Sequence, residues 1–268
     1  MDWKAFFDRL GLDGTRWQWR IMRWERNMKT FFKQGTLPGG ESLNATKIIL
    51  ALNLIWFSLM ILKGAAAGLG LTPLMAPRIE LLLHFGAQLW VPLVLNDGQW
   101  WRCLTYAYTH AGLIHLGFNM LVLYQVGPLI EREIGTPPFI TLYTLTALTA
   151  TLLGFFWHPG TPVVGASGSI FGLIGFAVAY FHRMGPVGQA LRNFMFRWAV
   201  FAFIFGLLVG ADNAGHLGGA LGGAAFGLLL PMSFRGRQAS AKLFLSLAVL
   251  CAGATIGSLG WQVVYWFI

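Results

Sequence analysis

A serine hydroxyl becomes a nucleophile when a neighbouring base takes its proton, and histidine is the side chain best suited to that task near neutral pH. Four polar residues of this chain stand inside otherwise apolar stretches with spacings suited to such chemistry: His115 and Asn119 in GLIHLGFNML, Ser167 in GASGSIFG, and His216 in ADNAGHLGGALGG. Ser167 has the type and setting of a nucleophile, because Gly165 and Gly168 leave its hydroxyl uncrowded and allow unusual local backbone. His216 is the matching base. Asn119 follows His115 by four residues and points the same way from a helix. The two are therefore typed as extra donors to an oxyanion, alongside the Ser167 backbone N–H at a helix start, where unpaired N–H groups and the positive dipole end favour negative charge.

Such residues act only if their elements bring them to one level, and the composition says which elements those are. Of the 268 residues 56% are hydrophobic and 11% charged, against about a quarter charged in an ordinary soluble domain. That excludes a soluble globule. Seven apolar segments are expected at 48–67, 113–130, 137–157, 163–181, 195–211, 214–232 and 243–268. Most approach the ~20 residues a membrane-spanning helix needs, and the fifth is weakly bounded. The predicted fold is an all-α polytopic membrane helix bundle. A semi-apolar insert at 68–112, carrying Trp90, Trp100 and Trp101, is expected to lie in or on the outer interface without crossing.

Nine of the 19 Lys and Arg precede residue 48, and alternate loops collect the rest so that one side carries 16 and the other three. The positive-inside rule then predicts a cytoplasmic N-terminus and an outside C-terminus, with the second, fourth and sixth helices running inward. Counting to the inner end of each helix gives 16 residues from His115, 15 from Ser167 and 15 from His216. All three share a level about 22 to 24 Å above the inner face, in the outer part of a ~30 Å core. Gly219, Gly223 and Gly227, four residues apart and beginning three after His216, form a small-residue face that lets two backbones meet.

Each feature has a plainer reading: a capping serine, a structurally bonded histidine, a packing stripe, a His–Asn helix bridge. None of these predicts that His115, Ser167 and His216 share one depth with Asn119 a turn away on the same side. Asp212 precedes His216 by four residues but reads as a helix cap, so a Ser–His dyad is expected and not a triad. The GxSxG elbow does not apply, since Ser169 stands where its second glycine would be. Two cysteines, Cys103 and Cys251, make neither a disulfide framework nor a zinc site, and no metal or cofactor is expected. The formal charge of +9 is scattered between apolar runs, which favours the lipid bilayer and its anionic headgroups over nucleic acid as partner. A transporter would show internal hydropathy symmetry, and none is evident. Trp17, Trp19, Arg20, Arg23, Trp24 and Arg26, within the basic segment 1–47, suit either a surface-lying helix or a plain cytoplasmic extension.

The motifs resemble the rhomboid family of intramembrane serine proteases over about residues 70–231. QWWRCLTYAYTHAGLIHLGFN is similar to the family's first outer loop, with a Trp–Arg pair at Trp101 and Arg102, leading into its HxxxN helix at His115 and Asn119. Glu131 and Gly135 match the residues closing that helix, GASG places the family's nucleophile on Ser167, and HxxGxxxG places its base on His216 with Gly219 and Gly223 behind it. Phe171 stands where the family pattern has a tyrosine packed on that histidine, which keeps the ring and loses the hydroxyl. The resemblance implies a six-helix core at 48–232 and an extra C-terminal transmembrane helix within 233–268. It implies an endopeptidase that cleaves single-pass transmembrane proteins within or next to their membrane segments. The charge count places the cut near the outer end of the substrate helix, and the absence of a secretory or organellar leader pattern in 1–47 favours a bacterial cytoplasmic membrane. A non-proteolytic adaptor on the same fold is the alternative, and retention of both Ser167 and His216 argues against it. His110 is expected to line the water-filled cavity.

Overall fold

The computed structural model of the chain describes residues 13–16, 18, 19, 22 and 44–268. Most of the N-terminal arginine–tryptophan segment, including Trp17, Arg20, Arg23, Trp24 and Arg26, lies outside the described residues. Ala45–Ile268 form one compact unit, an all-α polytopic membrane bundle. Its seven long helices are α1 (Ala45–Gly64), α2 (Leu113–Ile134), α3 (Thr136–Trp157), α4 (Ser167–Arg183), α5 (Gln189–Val209), α6 (Asn213–Leu229) and α7 (Phe234–Tyr265). α1 with its following turn, α2, α3 and α7 are long and apolar enough to cross a membrane.

Where helix boundaries depart from the apolar runs, polar groups explain the difference. α1 begins three residues earlier than its apolar segment because Glu131 caps it. One carboxylate oxygen accepts from the Ala45 N–H at 2.7 Å, and the other accepts from the Thr46 N–H at 2.9 Å and the Thr46 hydroxyl at 2.7 Å. The Thr136 hydroxyl also donates to Glu131, at 2.8 Å, so one carboxylate ties the start of α1 to the start of α3. Gly135, at φ +87°, stops α2. α7 starts at Phe234, well before its apolar run, because side chains hold its basic first turns. Gly236 N–H donates to the Ser233 hydroxyl, and Arg237 reaches the Glu133 carbonyl at 2.8 Å, its carboxylate at 3.0 Å and the Tyr180 hydroxyl. α5 runs from Gln189, six residues before its apolar segment, because it continues directly from the short turn Gly185–Gly188. α4 begins at Ser167 and not at 163, since Val163 is paired with Gln88 in an isolated β-bridge. With 17 residues it is about 25 Å long.

The insert after α1 folds into short helices of at most seven residues, so it does not cross the bundle. Trp90 is buried and donates its indole N–H to the Thr151 carbonyl at 2.9 Å, which docks the insert on α3. Arg102, only 3% exposed, donates to the carbonyls of Leu83 and Ala87 at 2.7 and 2.8 Å and to the Gln99 amide oxygen. Burial lowers its guanidinium to about 10.

α6 packs chiefly on α4 and α3, and glycine makes the approach possible. A Cβ at Gly219 would strike the Gly168 carbonyl, and one at Gly223 the Gly172 carbonyl. From the other side, a Cβ at Gly175 would strike the Ala220 carbonyl. The contacting atoms are backbone and cannot turn aside. Gly219→Val and Gly223→Val are therefore expected to separate α4 from α6 and to slow any reaction of Ser167 by about 100-fold, the usual order for a ~1 Å displacement of reacting groups. Reaction of Ser167 with a fluorophosphonate at the wild-type rate in either variant would show that this face does not set the α4–α6 distance.

Candidate active site

Ser167 is the first residue of α4, and its position comes from the turn before it. Val163 exchanges main-chain hydrogen bonds with Gln88, at 2.9 and 2.8 Å, and the Gly165 N–H donates to the Tyr106 carbonyl at 2.9 Å. Gly165 adopts φ +115°, and a Cβ there would meet the His115 ring. The chain thus enters α4 through a turn that a larger residue would both strain and block. Gly168 packs on Ala150 of α3.

His216 projects from the first turn of α6, is 6% exposed, and places Nε2 2.9 Å from the Ser167 hydroxyl. Phe171, one turn beyond Ser167, stacks on its ring with centroids 4.2 Å apart and planes 12° from parallel. On the ring's other nitrogen, Nδ1 lies 3.1 Å from the Asn213 amide oxygen. An amide oxygen only accepts, so Nδ1 carries the proton and Nε2 is left to accept from Ser167. Asn213 was not anticipated from the sequence; its signal is the i, i+3 spacing to His216, which puts both on one helix face. Asp212, considered for that role and set aside as a cap, accepts from the Gly215 N–H at 2.8 Å and sits 2.7 Å from His158 Nε2 at the end of α3.

His115 and Asn119 share one wall of a cavity of about 660 Å³ with Ser167 and His216. The cavity reaches between α2 and α5, where Phe118 and Trp198 line it. Asn119 lies one turn beyond His115 and donates one amide N–H to its carbonyl at 3.0 Å. His110 is a correction: it does not line the cavity but is fully buried behind the serine turn. Gly112, at φ +118°, breaks the helical path between His110 and α2. Its Nε2 accepts from the Ala166 N–H at 3.4 Å and its Nδ1 lies 3.3 Å from the Tyr108 carbonyl. Burial first, then the neighbouring His115, lowers it to about 3, so it stays neutral. Cys103 and Cys251 are both buried and unpaired.

Fold and site together define a polytopic membrane helix bundle with a serine–histidine pair at the head of two glycine-packed helices. Residues 97–233 match the family model described as the rhomboid domain, and the chain belongs to the rhomboid family. It is 35% identical over 253 residues to the rhomboid protease GluP of Bacillus subtilis, covering 91% of this chain and 46% of that protein. It is 36% identical over 162 residues to rhomboid-like protease 1 of Toxoplasma gondii, covering 57% and 54%. With the mitochondrial RHOMBOID-like protein 6 of Arabidopsis thaliana it shares 29% over 209 residues, covering 69% and 67%. The chain spans about half the length of the first two relatives.

Asn213→Leu removes the acceptor that fixes the His216 ring. It is expected to slow reaction of Ser167 with a fluorophosphonate about 10- to 100-fold, whereas Asn213→Asp, which keeps an acceptor, should lose much less. Equal rates in Asn213→Leu and the wild type would show that the ring is held by Phe171 alone.

Proposed function

We propose that the chain is an integral-membrane serine endopeptidase that cleaves single-pass transmembrane proteins within or beside their membrane helices, using Ser167 and His216 as a dyad. The observation that carries this reading is the 2.9 Å approach of Ser167 Oγ to His216 Nε2 on the wall of a cavity large enough for a polypeptide segment. Ser167 Oγ attacks the scissile carbonyl carbon as His216 Nε2 takes its proton, and the C–N bond then breaks as His216 returns that proton to the leaving amine. A water molecule, deprotonated by the same nitrogen, hydrolyses the acyl-enzyme and restores Ser167. The oxyanion is held by the Ser167 backbone N–H at the α4 N-terminus, with His115 and Asn119 as further donors from α2.

Ser167→Ala and His216→Ala are each expected to abolish cleavage of a transmembrane substrate and fluorophosphonate labelling while the bundle stays folded. His115→Ala and Asn119→Ala should lower the acylation rate by about one to three orders of magnitude with a smaller effect on KM. A labelled serine other than Ser167, or labelling that survives heat denaturation, would overturn the assignment.

The 16 to 3 distribution of Lys and Arg supports a cytoplasmic N-terminus and an active site near the outer surface, as in a bacterial cytoplasmic membrane. Cleavage is then expected near the outer end of a substrate helix, at segments rich in Gly, Ala or Pro, since a regular helix ties up its scissile carbonyl in an i to i+4 hydrogen bond. Mass spectrometry of products from a substrate of known orientation, with and without Gly or Ala replaced by Leu, checks both points. Cuts in the cytoplasmic third would show the orientation to be reversed, and indifference to added Leu would remove the unwinding requirement.

A further inference from the structure

The last turns of α7 carry polar groups that the dyad does not use. Gln262 is fully buried near the end of a membrane helix, a position that is unfavourable unless its polar atoms find partners. Its amide oxygen accepts from the Trp101 indole at 2.7 Å, and its amide nitrogen donates to the His84 carbonyl at 3.0 Å. The Trp266 indole donates to the same carbonyl at 2.6 Å, and its ring stacks on His84 with planes 13° from parallel.

The segment these groups hold is tied at every residue. From Leu83 to Gln88, six successive carbonyls each accept a hydrogen bond. Leu83 and Ala87 accept from Arg102, and His84 from Gln262 and Trp266. Phe85 accepts from Trp56 and Thr109, Gly86 from Thr105, and Gln88 from the Val163 N–H. The strap thus ends in the bridge to Val163, two residues before Gly165 and four before Ser167. Of its anchors, only those on His84 come from α7.

We propose that the end of α7 is a positioning element of the active site: Gln262 and Trp266 fasten the strap Leu83–Gln88, and the strap, through its bridge to Val163, fixes the turn from which Ser167 projects. Neither residue touches the dyad or lines the cavity, so both act through packing and hydrogen bonds and not in the chemistry. The kinetic part rests on the proteolytic reading above; the structural part does not.

The test uses the full chain in lipid vesicles. Gln262→Leu removes both of that residue's bonds and remains compatible with a membrane helix. Trp266→Phe keeps the stack on His84 and loses only the N–H. Ile256→Leu, on the exposed face of the same helix, is the control. Hydrogen–deuterium exchange at the Gln88 and Val163 amides is expected to accelerate about tenfold in the first two variants and not in the control, because loss of an anchor raises the population of locally open states. Alongside it, kcat for a transmembrane substrate and the fluorophosphonate rate at Ser167 should fall about tenfold with KM within about twofold, the pattern of a displaced nucleophile. Unchanged exchange in both folded variants overturns the proposal, and so does faster exchange with an unchanged rate at Ser167. If the wild-type chain neither cleaves nor is labelled, the proteolytic reading fails, and the exchange result still decides whether α7 holds the strap.

Discussion

The distance between the α4 and α6 backbones governs the rest of the site. Hydrocarbon offers no hydrophobic drive to bring helices together, so close packing of small residues must supply the contact. Here glycine meets glycine: Gly219 against Gly168 and Gly223 against Gly172. Because Ser167 opens one helix and His216 lies in the first turn of the other, that approach puts a hydroxyl and an imidazole within hydrogen-bonding reach with no long side chain spanning a gap. Orientation is then refined by short-range partners on either side of the ring, Phe171 against its face and Asn213 at Nδ1.

Around this contact the protein satisfies polar groups by sharing acceptors and donors among elements distant in sequence. Glu131 serves α1 and α3 from the end of α2, and Arg237 joins the start of α7 to the ends of α2 and α4. Asp212 caps α6 while meeting His158 from α3. Inside a membrane an unpaired group of this kind is costly. Each shared group therefore fixes where one helix ends relative to another, which apolar packing alone specifies weakly.

Much of the architecture was legible because apolar runs and helices nearly coincide at their starts, as in α2 and α3. Ser167 and His216 were legible because a polar residue in an apolar stretch stands out. What escaped was written in the backbone. The strap Leu83–Gln88 is held by carbonyls, which have no residue signature, and the early starts of α1 and α7 depend on partners about 90 and 100 residues away in sequence. Asn213 was hidden by Asp212 beside it, whose carboxylate is the more familiar partner for histidine. The place of His110 was not legible because residue counting carries the direction of α2 back past Gly112, where the helix has not yet begun.

The length of α4 has a consequence of another kind. A helix of 17 residues falls short of a ~30 Å hydrocarbon core by about 5 Å, and no helix continues it past Ser167, because the preceding residues form a hydrogen-bonded turn. α4 is enclosed by α2, α3, α5 and α6, and Gly168 to Ile174 are all buried, so protein and not lipid surrounds its short span. The space beside its first residue is the cavity lined by Phe118 of α2 and Trp198 of α5. A short helix beside longer ones leaves a recess that its neighbours line, so side chains of α2 and α5 shape what reaches Ser167.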